Sequence, residues 1–332
     1  MDKVIIVYNT IFAIMKKVGV AYGEALLSYS FGIDHPMNFY RIKHFYKMFE
    51  KEFIDGSKLD DILLIQPVMA GEEIIKLFHT KEYIEFVKKA SKSGFGYLDY
   101  GDTPAFKGVF EASSYVVGTT IECAEHIIKG SVKFAFNPMG GLHHARKDSA
   151  AGFCVFNDIG VLIEYLRKKY SIKRFLYVDI DAHHGDGVFY EFYKDKDVII
   201  VDFHENPRTL YPGTGFEEEK GEGDAFGTKL NIVLPAGSDD TVFYKRFDQI
   251  KDFILNSRPD FIIFQCGGDA LKGDPITHLR LSPEVHFNVA LFLKDFARKI
   301  ECYGPLALGG GGYNNISTSQ GWMNVIKAFI RD

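Results

Sequence analysis

The sequence predicts an α/β protein with a mostly parallel central sheet and helices on both faces. Short apolar runs rich in β-branched residues alternate with segments of helical character along the 332 residues, which is the order typical of a parallel sheet. Residues able to bind metals or transfer protons directly follow several of these runs, where open parallel sheets place their ligands. The composition, with 46% hydrophobic and 25% charged residues, is ordinary for a globular protein.

Six strands are predicted from runs of Val, Ile, Phe and Leu that are too short for helices. They cover residues 4–8, 132–136, 175–180, 198–203, 261–265 and 305–308.

Helices are predicted between the strands. Thr80 is placed to cap one helix, and Asn157 to cap another that continues to Tyr170. Residues 106–129 form a long helix that a glycine stops. The Ser-Pro pair at 282–283 is a start signal, with proline at the first helical position. No low-complexity linker interrupts the sequence, and α/β sheets of this length often form one domain, so we expect one domain over residues 1–332.

Charge and cysteine content exclude several classes of protein. The net charge of −5 and the pI near 6.1 argue against nonspecific nucleic-acid binding, which requires a basic face. The apolar run near the N-terminus is too short for a signal peptide or a membrane span. The four cysteines are far apart and form no CxxC pair, which favours reduced thiols in the cytoplasm. We therefore expect a cytoplasmic protein without a membrane or nucleic-acid partner.

The segment FLYVDIDAHHGDG, residues 175–187, is the strongest chemical signal. It places three carboxylates and two imidazoles within eight positions, directly after an apolar run. Alternate residues of an extended strand share a face. Asp179, Asp181 and His183 are therefore expected to point the same way, and two of them could bind one metal ion.

Three further positions support a site at the strand ends. His143 and His144 form a second adjacent histidine pair after a short apolar run. Asp269 follows the strand predicted over 261–265. Tyr313 follows four consecutive glycines, which permit close backbone approaches.

These motifs resemble the zinc-dependent histone deacetylase superfamily, which includes acetoin-utilisation proteins and acetylpolyamine amidohydrolases. The strong motifs are GGLHHA, DIDAHHGDG, QCGGDA and LGGGGY, and the weaker ones are HPMNFYRIKH, FHTKEYIEFV, GDTPAF, GFCVFND, YPGTG and KGDP. The resemblance covers nearly the whole chain. It implies a single-domain, arginase/deacetylase-like fold with the active site at the C-terminal ends of the strands.

The resemblance also implies the roles of the motif residues. Asp181, His183 and Asp269 would bind a divalent ion and leave open positions for water and substrate, as in catalytic zinc sites. Zn²⁺ is expected, although two carboxylates and one imidazole also suit Fe²⁺.

By the same resemblance, the second histidine pair transfers protons. His144 would be the general base and His143 its electrostatic or acid partner. Asp186 would orient His144, and Asp179 would orient His143. Tyr313 would donate its hydroxyl to the oxygen of the tetrahedral intermediate.

Other matches concern the substrate. Phe153, with Gly152 beside it, and Tyr211 correspond to the two walls of a narrow acyl-lysine tunnel, where many relatives carry phenylalanine at the second position. Asp102 corresponds to a rim residue that holds substrate amides. Arg41 corresponds to a position near the cavity floor, or else lies on a solvated helix face.

A structural K⁺ or Na⁺ site is implied as well. It would involve the backbone oxygens of Asp179, Asp181, His183 and Phe203, with the Asp202 carboxylate beside them. Asp202 stands where many relatives have serine, so its carboxylate would either strengthen cation binding or replace a neutral ligand by a salt bridge.

The expected function is removal of acetyl or short acyl groups from the ε-amine of lysine in proteins or peptides, by metal-activated water. One alternative is a small-molecule deacylase, such as an acetylpolyamine amidohydrolase. A second is an acyl-lysine binding protein with little activity, and a third is a two-metal ureohydrolase. The expected partner is an acylated protein, peptide or small amine.

Overall fold

A computed structural model describes residues 16–332, and it contains eight strands in this range. In chain order they are Lys16–Ala21 (β1), Ile62–Ile65 (β2), Val132–Asn137 (β3), Phe175–Asp179 (β4), Val198–Glu205 (β5), Lys229–Leu234 (β6), Phe261–Gln265 (β7) and Tyr303–Leu308 (β8).

The eight strands form one parallel sheet in the order β2-β1-β3-β8-β7-β4-β5-β6. Every residue of β4, β5 and β7 is buried, so both faces of the sheet centre are covered. This is why these strands are continuous apolar runs without alternation. The predicted α/β class and parallel sheet are confirmed.

Nine α-helices of the described residues surround the sheet. They are Tyr40–Phe49 (α1), Glu72–Ile75 (α2), Lys81–Ser93 (α3), Val109–Ile128 (α4), Asp158–Tyr170 (α5), Asp186–Glu191 (α6), Asp240–Leu255 (α7), Pro283–Ile300 (α8) and Asn315–Ile330 (α9). The predicted caps of α3 and α5 are present, because Thr80 accepts the N–H of Tyr83 and Asn157 accepts that of Gly160. Proline occupies the first turn of α8, as expected, but Ser282 makes no side-chain cap.

Five of the six predicted strands are confirmed, with shifts of one or two residues at some ends. The sixth, over residues 4–8, lies outside the described residues. The prediction missed β1, β2 and β6. Strand β1 begins with two lysines and contains a glycine, β2 has only four residues, and polar residues interrupt β6. All three lie on the outer parts of the sheet, where a fully apolar run is not required.

The register of the central strands assembles one edge of the sheet. Asn137 pairs with Leu308, Leu308 with Gln265, Gln265 with Asp179, and Asp179 with Asp202. The loops that follow β3, β4, β7 and β8 therefore leave the sheet side by side. These loops carry every motif selected from the sequence for metal binding or proton transfer.

Candidate metal centre and active site

Asp181, His183 and Asp269 converge at the carboxyl edge of the sheet. Asp181 and His183 lie in the turn after β4, and Asp269 lies in a short 3₁₀ turn after β7. The Nδ1 atom of His183 is 3.1 Å from Asp181 Oδ1 and 3.1 Å from Asp269 Oδ2. One donor atom from each residue lies within 4.8 Å of the others, and all three side chains are buried.

Backbone groups and glycines shape this cluster. Asp181 Oδ2 accepts the N–H of Gly311 at 2.9 Å, and Asp269 Oδ1 accepts the N–H of Ala182 at 2.8 Å. A Cβ atom at Gly311 would lie 2.0 Å from Asp269 Oδ2, and one at Gly267 would lie 2.1 Å from Asp181 Oδ2. Glycine is therefore required at both positions for the loops to approach the carboxylates.

The donor set fits a divalent ion. Burial disfavours the charged imidazole, but the carboxylates of Asp269 and Asp181 prevail and raise the pKa of His183 to about 10. Burial, together with the charge of Asp181, raises the pKa of Asp269 to about 7. Two buried carboxylates therefore favour a positive charge beside them. Oxygen and imidazole donors suit zinc and iron(II).

The His143 and His144 rings lie beside the metal ligands, and each is held by one carboxylate. His143 Nδ1 is 2.8 Å from Asp179 Oδ2, and His144 Nδ1 is 2.7 Å from Asp186 Oδ1. On the opposite edges of the rings, the two Nε2 atoms are 3.1 Å apart. All four side chains are buried, so their charges interact strongly.

The electrostatic surroundings shift the pKa values of the two histidines in opposite directions. Burial favours the neutral ring of His143, but the Asp179 and Asp181 carboxylates outweigh it and raise its pKa to about 10. Burial and the neighbouring His143 charge lower the pKa of His144 to about 4. Burial also opposes ionisation of Asp186, but its hydrogen bond with His144 lowers its pKa. At neutral pH one ring is charged and the other is free to accept a proton.

Tyr313 lines the same cavity as the metal ligands and both histidines. Its backbone N–H donates to Asp274 Oδ2 at 2.7 Å, and its ring meets that of Phe153 edge-on at 5.8 Å. Burial raises the pKa of Tyr313 well above its ordinary value. The phenol therefore remains protonated and able to donate.

Arg41 holds the tyrosine loop, residues 309–313, by hydrogen bonds to its backbone. Its guanidinium donates to the carbonyl oxygen of Gly310 at 2.7 Å and also to that of Gly312. It lies 5.4 Å from the centre of the Tyr313 ring. The residue is only 1% exposed, so the expectation of a solvated helix face is wrong. Arginine is suited to such burial because its planar donors can satisfy several carbonyls.

The residues matched to the tunnel walls lie close to the site, Phe153 against Tyr313 and Tyr211 against His144. Phe153 has a left-handed backbone with φ 66°, held by its N–H bond to the Thr103 hydroxyl at 3.0 Å. A Cβ atom at Gly152 would lie 2.4 Å from the His144 ring. The Tyr211 ring is 5.2 Å from that of His144. Asp102 lies farther out, on an exposed loop.

Comparison with known proteins identifies the family. Residues 35–329 match the family described as "Histone deacetylase domain". The chain belongs to the histone deacetylase family. Similar relatives include the acetoin utilization proteins AcuC of Bacillus subtilis, 38% identical over 93% of this chain and 79% of the relative, and of Staphylococcus xylosus, 31% identical over 94% and 82%.

A solved structure extends the similarity to the whole fold. The crystal structure of the HDA15 HD domain matches with a TM-score of 0.84 and 26% identity, covering 95% of this chain and 90% of that one. Histone deacetylase family membership makes this chain a deacetylase-type hydrolase of acetylated substrates, and the family is generally metal-dependent. Within residues 16–332, no helix has the length and apolar character needed to cross a membrane.

The region matched to the cation site of the histone deacetylase family is held by the Asp202 side chain. Asp202 Oδ1 is 2.8 Å from His204 Nδ1, and Oδ2 accepts the N–H of Gly185 at 2.9 Å. Both carboxylate oxygens of Asp202 therefore have a hydrogen-bond partner. Asp179 is the last residue of β4 and its carboxylate contacts His143, while Phe203 lies buried within β5. Asp179 therefore does not share a donor cluster with Asp181 and His183, in contrast to the expectation that all three point together.

Three supporting residues of this histone deacetylase family site were not recognised in the sequence. Gln265 Nε2 donates to Asp181 Oδ2 at 2.9 Å, Asp274 accepts the N–H of Tyr313, and Thr103 holds Phe153. All three lie within quoted motifs, QCGGDA, KGDP and GDTPAF, but no supporting role was assigned to them, although Gln265 is also the polar residue that ends the apolar run of β7. The other two lie in loops, and their partners are remote in sequence.

Proposed function

We propose that this chain is a single-domain, metal-dependent amidohydrolase that removes acetyl or short acyl groups from the ε-amine of lysine in proteins or peptides. One observation carries the proposal. One cavity is lined by two histidines, one charged and one neutral, that are each bound by a carboxylate. The same cavity is lined by the three metal-binding residues and by a tyrosine. We further expect zinc as the metal and the cytoplasm as the location.

Asp181, His183 and Asp269 would hold the divalent ion. When bound, such an ion supplies positive charge that polarises a carbonyl oxygen and lowers the pKa of water to about 7. The protein contributes the fixed orientation of the ligands, through the N–H of Gly311 and the side-chain amide of Gln265.

His144 is the proposed general base. Its ring is neutral at physiological pH, and the bond from Nδ1 to Asp186 leaves Nε2 as the acceptor. Nε2 takes a proton from the attacking water and later returns one to the amine that leaves. The products are a carboxylate and a lysine side chain with a free ε-amine. A positioned base of this kind typically contributes about 10²–10⁴-fold to the rate.

Tyr313 and His143 act on the negative charge that develops during attack. The phenol stays protonated and donates a hydrogen bond to the developing oxyanion, which is typically worth about 3 kcal/mol. His143 carries positive charge beside the same cavity. Its carboxylate partner Asp179 keeps it charged and correctly oriented.

The substrate would enter between Phe153 and Tyr211. Flat aromatic walls accept an aliphatic lysine stem and exclude bulkier groups. Tyr211 brings a hydroxyl to this passage, which favours a narrow or polar acyl group. Asp102, on the exposed loop, is available to accept amide N–H groups of a peptide.

Acetate release by the purified protein, loaded with one equivalent of zinc, tests the proposal. An acetyl-lysine peptide and acetylspermidine are compared in parallel, with Tyr313→Phe as the probe and Tyr303→Phe, an exposed tyrosine of β8, as the matched control. We expect peptide turnover that falls about 100-fold in Tyr313→Phe alone. Preference for acetylspermidine would reassign the substrate, and no turnover of either would refute the enzymatic proposal.

A further inference from the structure

A groove of about 650 Å³ opens beside the entrance to the proposed tunnel. It lies between the loop of residues 97–102 and the segment 146–151. Tyr211 and Asp102, which the proposed function places at the tunnel entrance, also line this groove, so the groove adjoins that entrance. Its volume is within the range of ordinary ligand sites.

Aromatic rings form much of the groove surface. Tyr97 and Phe86 are 57% and 45% exposed, Tyr211 is 44% exposed, and Tyr100 is fully exposed. Single exposed aromatic residues are common on proteins, but several around one concave surface mark a binding site. The ring faces carry partial negative charge and attract cations.

Two carboxylates add negative charge to the groove. Asp99 Oδ1 accepts the N–H groups of Gly101, Asp102 and Thr103 at 3.0, 3.1 and 2.9 Å. Its other oxygen, Oδ2, is buried and has no hydrogen-bond partner within residues 16–332. The Asp102 carboxylate accepts the Thr103 hydroxyl at 3.1 Å.

The two carboxyl groups have pKa values shifted in opposite directions. Burial and the adjacent Asp99 raise the pKa of Asp102 to about 6, which remains below 7. Burial has the same effect on Asp99, but its hydrogen bonds outweigh it and lower the pKa to about 2. The groove therefore contains the negative charge of Asp99 and, next to it, the more weakly acidic carboxyl group of Asp102.

Arg146 is the cationic residue of the groove, and its charge is already compensated. Its Nη2 atom is 2.9 Å from Asp186 Oδ2, and its guanidinium lies 5.2 Å from the centre of the Tyr190 ring. The carboxylates of Asp99 and Asp102 have no comparable partner among the lining residues.

We propose that this groove binds a cationic side chain, arginine or lysine, next to the acyl-lysine of a peptide substrate. The inference rests on the proposed function. Aromatic faces combined with carboxylates recognise guanidinium and ammonium groups. The groove lies beside the tunnel entrance. A peptide bound at the entrance has neighbouring side chains that can enter the groove, whereas a linear amine has no such branch.

The test compares acetyl-lysine peptides that carry arginine, glutamine or glutamate on both sides of the modified lysine. Two quantities are measured with the zinc-loaded protein: kcat/KM, and the dissociation constant of fluorescein-labelled peptides by anisotropy. We expect the arginine peptide to have a kcat/KM about five- to tenfold higher than the glutamine peptide, and a dissociation constant lower by the same factor, from one cation–π contact and one exposed ion pair. High salt is expected to reduce this ratio.

Variants locate the effect in the groove. Tyr100→Ala and Asp99→Asn should each bring the arginine-to-glutamine ratio to within about threefold. Asparagine retains Oδ1, so the turn held by Asp99 is preserved. Phe95→Ala is the matched control, because Phe95 lies two residues before Tyr97 and is 87% exposed but does not line the groove. It should leave the ratio unchanged.

The outcomes separate this inference from the proposed function. Equal values for all peptides, or preference for glutamate, would overturn the groove while leaving deacylation intact. Loss of acetylspermidine turnover in Tyr100→Ala, with the arginine preference unchanged, would assign the groove to small amines and also overturn it. If no peptide is hydrolysed, the proposed function fails, and anisotropy alone then decides: tighter arginine-peptide binding that Tyr100→Ala abolishes supports the groove, and equal binding refutes it.

Discussion

Replacing Gln265 by leucine tests how much the metal ligands depend on their supports. The Gln265 side chain donates from Nε2 to Asp181 Oδ2 at 2.9 Å and accepts the N–H of Gly267 at Oε1, at 2.7 Å. Leucine is of similar size and can make neither bond. Asp181 then retains only the Gly311 N–H as a donor to Oδ2, and the N–H of Gly267 is left buried without an acceptor.

The expected losses follow from the two bonds. A hydrogen bond to a charged group is worth about 1.5–3 kcal/mol, and a loss of about 2 kcal/mol in ligand orientation corresponds to roughly 30-fold in metal affinity. This agrees with the 10–100-fold typical of residues that support metal ligands. The unpaired N–H of Gly267 should lower the free energy of unfolding of the metal-free protein by about 1–3 kcal/mol.

Zinc affinity is measured by competition with a chromophoric chelator, and stability by urea unfolding of the metal-free protein. Ile263→Val is the matched control, because it removes one methyl group two residues earlier in the same strand. We expect it to cost about 1 kcal/mol of stability and to leave zinc affinity unchanged. Zinc affinity of Gln265→Leu within twofold of the unchanged protein would refute the supporting role.

Three further predictions concern the same site. Asp186→Asn should reduce kcat about 100-fold or more with little change in KM, because His144 loses its orienting carboxylate; an unchanged kcat would contradict this role. Zinc affinity should fall as pH falls from 8 to 6, because the pKa of His183, raised to about 10 without metal, means that a proton must leave on binding; a pH-independent affinity, measured by chelator competition, would contradict it. Gly311→Ala should abolish stoichiometric zinc binding by displacing Asp269, whereas Gly71→Ala, whose Cβ meets no atom within 4 Å, should not.

The fold was predictable wherever burial on both faces forces a sequence to be apolar. Strands β4, β5 and β7 are continuous apolar runs, and their limits were predicted within one or two residues. The outer strands carry no such requirement, which is why β1 and β6 were missed. Side-chain caps such as Thr80 and Asn157 depend on local hydrogen bonds, so the sequence alone was sufficient to locate them.

Within the site, residues that belong to dense motifs were easier to predict than single residues with partners remote in sequence. Paired histidines and aspartates in short segments indicated a metal centre, and the structure brings Asp181 and His183 to Asp269 as expected. The direction of Asp179 depends on where β4 ends, which alternation along an extended strand does not specify. Arg41 illustrates the other limit: its burial results from contacts with carbonyls of the tyrosine loop, far away in the chain.

The row of strand ends that carries the site has a consequence for how activity arises during folding. The bond from Gly311 to Asp181 joins positions 130 residues apart, and that from Gln265 to Gly141 joins positions 124 apart. Parallel pairings this remote form slowly, because long loops must close before any contact stabilises them. No short segment of the chain can therefore hold a working fraction of the site. Recovery of metal binding during refolding should coincide with completion of the central sheet. Metal binding is therefore a probe for folding of the whole domain.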